Sequence, residues 1–86
     1  MADVLRDVGR RIAELRHAAG LTQEQVAEKL GVSTRFYARI ESGTANLTLR
    51  TMVNVAEVLG TCLAELIVPP ASREAKRGRP PRARSE

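Results

Sequence analysis

The stretch that decides the fold is "TQEQVAEKLGVSTRFYARIESG", Thr22 to Gly43. Two segments with helical apolar periodicity lie here with almost nothing between them. In the first, Thr22 and Gln25 have the Thr-x-x-Gln spacing of a capping box, and Val26, Ala27 and Leu30 share one face. Gly31 closes that helix and supplies the left-handed residue of a sharp turn, a conformation glycine adopts without steric cost. Val32 anchors the turn, and Ser33 is a good N-cap for the next helix, with Tyr37 and Ile40 inward and Gly43 terminating it. So short a connection leaves too little chain for antiparallel neighbours, so the two helices must cross.

That crossing is the helix-turn-helix arrangement, whose second helix can enter a DNA major groove. From spacing alone, a small helical bundle with the same turn and no DNA is the competing reading. Working outward, "DVLRDVGRRIAELRHAAG" repeats Leu5, Val8, Ile12, Leu15 and Ala19 at helical steps, which predicts a first helix capped by Asp3 and ended by Gly20. Downstream, Thr48 caps a fourth helix with Leu49, Met52, Val53, Ala56 and Leu59 apolar, and Thr61 opens a short fifth. There is no strand pattern. The expected class is all-α, five helices in one domain over residues 1–68. Pro69 and Pro70 then stop helical order, and residues 69–86 hold too few apolar groups to offset the entropy of ordering. A disordered basic tail is expected there.

Charge separates along the same boundary. Residues 1–68 carry eight bases and eight acids, whereas residues 69–86 carry six bases against two acids. The whole formal charge of +4 therefore sits in the tail. A basic tail on a neutral domain points to a polyanion, most simply nucleic acid, with plain solubilisation as the bland alternative. The lone Cys62 excludes an internal disulfide framework, and with no signal-like N-terminus it points to a reducing cytoplasm. No apolar run is long enough for a bilayer, so no membrane partner is expected. Neither metal nor cofactor is expected, and no small-molecule ligand is evident. The single His17 has no cysteine or carboxylate cluster at ligand or triad spacing, which argues against an enzyme.

The run Leu15 to Gly43, continued by "NLTLRTMVNVAEVLG", resembles the lambda repressor/Cro-like, or XRE-type, helix-turn-helix regulators. The matching positions are Gln23 at the second helix start, Ala27 inside it, Gly31 in the turn, and Ile40-Glu41-x-Gly43 closing the third. The resemblance implies a five-helix fold that binds double-stranded DNA as a homodimer and regulates transcription, with the third helix as reader. It assigns Thr34, Arg35 and Arg39 to base contacts, and Gln23, Ser33 and Asn46 to the DNA backbone. It also implies an ion pair between Arg16 and Glu41, a structural role. Leu47-Thr48 stands where many members carry proline, which brings the chain nearer to small restriction–modification controller proteins.

Several residues keep two readings. Phe36 either packs on the monomer or touches a thymine methyl. Arg10, Arg11 and Arg50 either meet phosphates or are simply solvated. In the fifth helix Leu63, Leu66, Ile67 and Val68 are too many apolar groups for one small domain to bury, so some, with Leu63, Leu66 and Ile67 as the candidates, are expected at the dimer interface. In the tail, Arg77-Gly78-Arg79-Pro80 resembles an AT-hook, an element of A·T-rich minor grooves. General phosphate attraction and a silent tail are its alternatives. The rival to the whole DNA reading is an antitoxin or protein-interaction adaptor that keeps the same fold. The outward Arg35 and Arg39 favour DNA.

Overall fold

The computed structural model describes residues 2–71, and Arg77, Gly78 and Arg79 lie outside them. Five helices follow one another: α1 (Ala2–Ala18), α2 (Gln23–Leu30), α3 (Thr34–Ser42), α4 (Leu49–Val58) and the single turn α5 (Leu63–Leu66). The described residues contain no strand. Val8 and Ile12 of α1, Val26 and Ala27 of α2, Tyr37 and Ile40 of α3, Val55, Ala56 and Leu59 around α4, and Leu66 of α5 enclose one core. Phe36, Leu15, Leu30, Val32 and Leu63 pack partly buried against it.

The connection between α2 and α3 fixes their crossing. The Thr22 Oγ1 accepts from the Gln25 N–H at 3.0 Å, and Gln25 Oε1 accepts from the Thr22 N–H at 2.8 Å, so the capping box forms. Gly31 turns the chain at φ 78°, with its N–H bonded back to the Ala27 and Glu28 carbonyls. Ser33 then caps α3 through Oγ, which accepts from the Phe36 N–H at 3.0 Å.

Gly9 decides how α1 meets α3. A Cβ there would run into the carbonyl oxygens of Ile40 and Glu41, so a side chain on α1 would hold the last turn of α3 away. The two helices approach closely only because that atom is missing.

The structure corrects four details of the sequence reading. α1 already runs at Ala2, so Asp3 lies inside its first turn and does not precede it. Ala19 is exposed beyond the helix end. On α4 the inward residues are Met52, Val55, Ala56 and Leu59, while Leu49 and Val53 are exposed. α5 starts after Cys62, not at Thr61, and no side chain caps it.

Candidate nucleic-acid interface

Helical geometry puts Thr34, Arg35, Ala38 and Arg39 on the face of α3 opposite the buried pair Tyr37 and Ile40. Arg35 and Arg39 are exposed, and Thr34 and Ala38 beside them are half-buried. Arg35 makes no hydrogen bond to another described residue. Arg39 differs: one guanidinium N–H donates to the Thr44 carbonyl at 3.1 Å, which draws the side chain toward the loop after α3. In that loop Ser42 Oγ lies 2.9 Å from Thr44 Oγ1, and Asn46 is exposed just beyond. Ser33 is also exposed, although its oxygen is engaged as a cap. Phe36 packs on the core from the half-buried margin of α3.

A buried polar cluster holds this face in place. Arg16 Nε donates to Glu41 Oε2 at 2.6 Å, and a second guanidinium N–H reaches Glu41 Oε1 at 3.2 Å. Arg16 also donates to the Leu21 carbonyl at 2.9 Å, so one side chain ties α1 to the start of the α2 region and the end of α3. Gln23 joins the same cluster, its Nε2 donating to Glu41 Oε1 at 3.0 Å. Sequence reasoning gave Gln23 only an outward role. The contact with Glu41, eighteen positions away, leaves no periodic signal.

Burial alone would raise the Glu41 carboxyl, but hydrogen bonds from Arg16 and Gln23, with the Tyr37 hydroxyl nearby, outweigh it and hold the pKa below the ordinary carboxylate value. Hydrogen bonding to Glu41 in turn raises Arg16. Burial pushes the Tyr37 phenol far above its usual range, and the neighbouring Glu41 carboxylate pushes the same way. The hydroxyl is aimed at this cluster but has no hydrogen bond of ordinary geometry, so its link to Glu41 is electrostatic more than directional.

Other bases are committed elsewhere. Arg11 Nε donates to the Glu65 carbonyl and its Nη2 to the Glu65 carboxylate, both at 2.8 Å. Arg11 therefore clamps α1 to α5: of the two readings left open for it, phosphate contact or plain solvation, it takes neither and makes an intramolecular ion pair. Arg10 is half-buried and Arg50 is exposed in the first turn of α4. Leu66 is also corrected: it is 0% exposed within the monomer's own core and has no surface left for a partner. Leu63 is partly buried against that core, while Ile67 stays 61% exposed.

The helix-turn-helix family model HTH_3 matches residues 12–66, which takes in α2, the turn, α3 and α4. The chain belongs to this helix-turn-helix family. It is 37% identical over 67 residues to an uncharacterised HTH-type transcriptional regulator, y4dJ, of Sinorhizobium fredii, covering 78% of this chain and 87% of that protein. It is 36% identical over 56 residues to the cryptic phage CTXphi transcriptional repressor RstR of Vibrio cholerae, covering 65% of this chain and 50% of the repressor. In structure it is similar to the restriction-modification controller protein C.AhdI of Aeromonas hydrophila, with a TM-score of 0.70 and 33% identity over 77% of this chain and 98% of that one. The helix-turn-helix chain is thus a transcriptional regulator with a DNA-binding fold. No helix among its described residues is long and apolar enough to cross a membrane.

Proposed function

We propose that this regulator binds a pseudopalindromic operator as a homodimer, with α3 of each subunit in the major groove. The carrying observation is the outward face of α3, where two exposed arginines flank Ala38 on a helix held rigidly from behind by Arg16 and Glu41. Arg35 projects without internal partners and takes guanine O6 and N7 bidentately, which discriminates by about 1–3 kcal/mol against other bases. Arg39 reads a neighbouring base with the guanidinium N–H groups it does not spend on Thr44. Thr34 completes the base contacts. Ser33, Asn46 and the amide of Gln23 meet phosphates, helped by the unpaired N–H groups at the start of α2.

In a twofold dimer the two α3 helices lie one DNA turn apart, roughly 34–36 Å. The exposed apolar edge formed by Ile67 and Val68 after α5 supports pairing there. The likeness to a small restriction-modification controller protein along nearly that protein's full length supports reading these helices as one compact DNA-binding unit.

Selection of bound duplexes from a random pool tests the proposal. The expected product is a site with twofold symmetry and half-sites about one turn apart. Arg35→Ala should relax preference at one position per half-site, whereas Arg50→Ala should leave the recovered sequence unchanged. A pool that shows no enrichment, or an Arg35→Ala and Arg39→Ala protein that recovers the same site, refutes the assignment of α3 as reader.

A further inference from the structure

Arg35 and Arg39 leave α3 on the same face, but only Arg39 is anchored. Its bond to the Thr44 carbonyl at 3.1 Å is answered by one in the opposite direction, from the Thr44 N–H to the Arg39 carbonyl at 3.0 Å. Two residues five positions apart are thus joined through backbone and side chain at once. Two hydroxyls close the ring. Ser42 Oγ donates to the Arg39 carbonyl at 3.0 Å and lies 2.9 Å from Thr44 Oγ1. With the Ser42 proton on that carbonyl, the Thr44 hydroxyl supplies the proton between the two oxygens.

The anchor itself is held on both sides. Gly43 takes the left-handed conformation that ends α3, at φ 82°. A Cβ there would strike the α1 backbone at Arg6, so the turn is pressed against α1. On the other side Ala45 is buried in the core. The Thr44 carbonyl lies between these two fixed neighbours, and the exposed hydroxyls of Ser42 and Thr44 brace the span. A free arginine loses rotamer freedom when it settles on a base, a loss worth roughly two- to tenfold in affinity. Arg39 has given up much of that freedom before any ligand arrives. Only one guanidinium N–H is engaged with Thr44, so the others stay available.

We propose that Ser42 and Thr44 are positioning residues that set base preference through Arg39 without touching a base themselves. This rests on the reading of α3 given above. The Thr44 carbonyl directs the guanidinium, and the two hydroxyls direct the carbonyl. Guanine, whose O6 and N7 form a paired acceptor, gains from a donor fork already in place. Any other base meets the same fork and cannot draw it aside without breaking the bond to Thr44. The brace therefore sharpens preference as well as raising affinity.

Selection with the full-length Arg39→Ala protein locates the base pair that Arg39 reads, as the one whose preference relaxes. Anisotropy then gives affinities for duplexes carrying each possible base pair there, with proteins that circular dichroism shows folded at the assay temperature. The wild type should prefer its own pair by roughly 5- to 150-fold, the range of one bidentate contact. Ser42→Ala with Thr44→Val should cut that preference by roughly two- to tenfold and leave the preference at the Arg35 position intact. Ser42→Ala alone should show the same change in smaller degree. Thr44→Ser, which keeps the hydroxyl, should behave as the wild type. In an Arg39→Ala background the Ser42 and Thr44 substitutions should change nothing further, because the residue they act through is gone. Equal weakening on every duplex, persisting without Arg39, means that the hydroxyls meet phosphates directly and overturns the brace. An unchanged or increased preference overturns it too, the increase showing that Thr44 holds Arg39 away from its base. An Arg39→Ala protein that relaxes no position is a different failure: it sinks the reading of Arg39 as a base contact and takes the brace with it.

Discussion

Glu41 accepts from Arg16 and Gln23 at once, so a single carboxylate joins α1, the start of α2 and the end of α3. Its side chain is 8% exposed and that of Arg16 10%. A pair this enclosed adds little net stability, but removal of one partner leaves a charge with nowhere to go. Glu41→Gln should therefore cost about 3 kcal/mol at neutral pH, near the low end for breaking a buried pair. The pH dependence has a definite sign. Because the folded pKa of Glu41 is depressed, its contribution is complete above the ordinary value of 4.5 and is lost as pH falls through the lower folded value. The gap between wild type and variant in urea midpoint should thus be widest near neutrality and shrink in acid, and a gap independent of pH would count against this account. Tyr37 acts at the other end of the scale. Its folded pKa is raised, so its stabilisation is present below the ordinary value of 10.0 and fades as pH rises beyond it. It is the only tyrosine and the chain has no tryptophan, which makes its ionisation easy to follow by ultraviolet absorbance. Ionisation should coincide with loss of helical circular dichroism, whereas tyrosinate forming in a still-helical protein would show that the phenol is less enclosed than described.

The elements differ in how far their sequences announced them. The α2–α3 pair was legible because every device in it is local: a cap, a left-handed glycine and a second cap within a dozen positions. α4 was read only in part: Met52, Ala56 and Leu59 do face the core, but Val55 was missed and Leu49 and Val53 are exposed, because apolar groups cover most of its circumference and periodicity cannot choose between them. Only packing against α2 and α5 sets Val55 inward and Leu49 outward. The outward face of α3 followed from its period, but the hold of Thr44 on Arg39 and of Glu41 on Gln23 depends on tertiary placement. Gly9 was equally silent, as one glycine inside a helical pattern gives no sign of what it touches. Its role predicts a strong contrast. Gly9→Ala must push α1 off the carbonyls of Ile40 and Glu41, and should cost at least the roughly 1–3 kcal/mol of overpacking despite alanine's better helix propensity. Gly20→Ala meets no atom within 4 Å and bears only the strain of a left-handed alanine, about 1 kcal/mol. Thermal melts of the two variants order them, and equal melting temperatures would mean that α1 and α3 have room to separate.

At the scale of the whole molecule, α5 and the residues after it divide between two tasks. Leu66 seals the monomer core, whereas Ile67 and Val68 are 61% and 41% exposed beside Val4, which is 59% exposed. Together they line a shallow apolar groove between the start of α1 and the chain after α5. The Arg11–Glu65 clamp fixes the orientation of that turn on α1, so the apolar groups keep a defined direction despite a helix only four residues long. The sequence placed all three apolar residues on one helix and could not say which the monomer would keep. Adjacent substitutions should now separate stability from assembly. Leu66→Ala should lose about 2–5 kcal/mol, comparable to the stability of so small a domain, and broaden or abolish its melt. Ile67→Asp removes no core contact, so helical content should be retained. Sedimentation should nevertheless show monomer at concentrations where the wild type pairs, because each Ile67 would bring a charge into an apolar contact repeated by symmetry. DNA binding by that variant should weaken and rise more steeply with protein concentration, as two separate subunits must then meet on one operator. If Ile67→Asp sediments as the wild type does, the subunits pair through another surface, and the exposed Leu49 and Val53 of α4 become the next apolar pair to substitute.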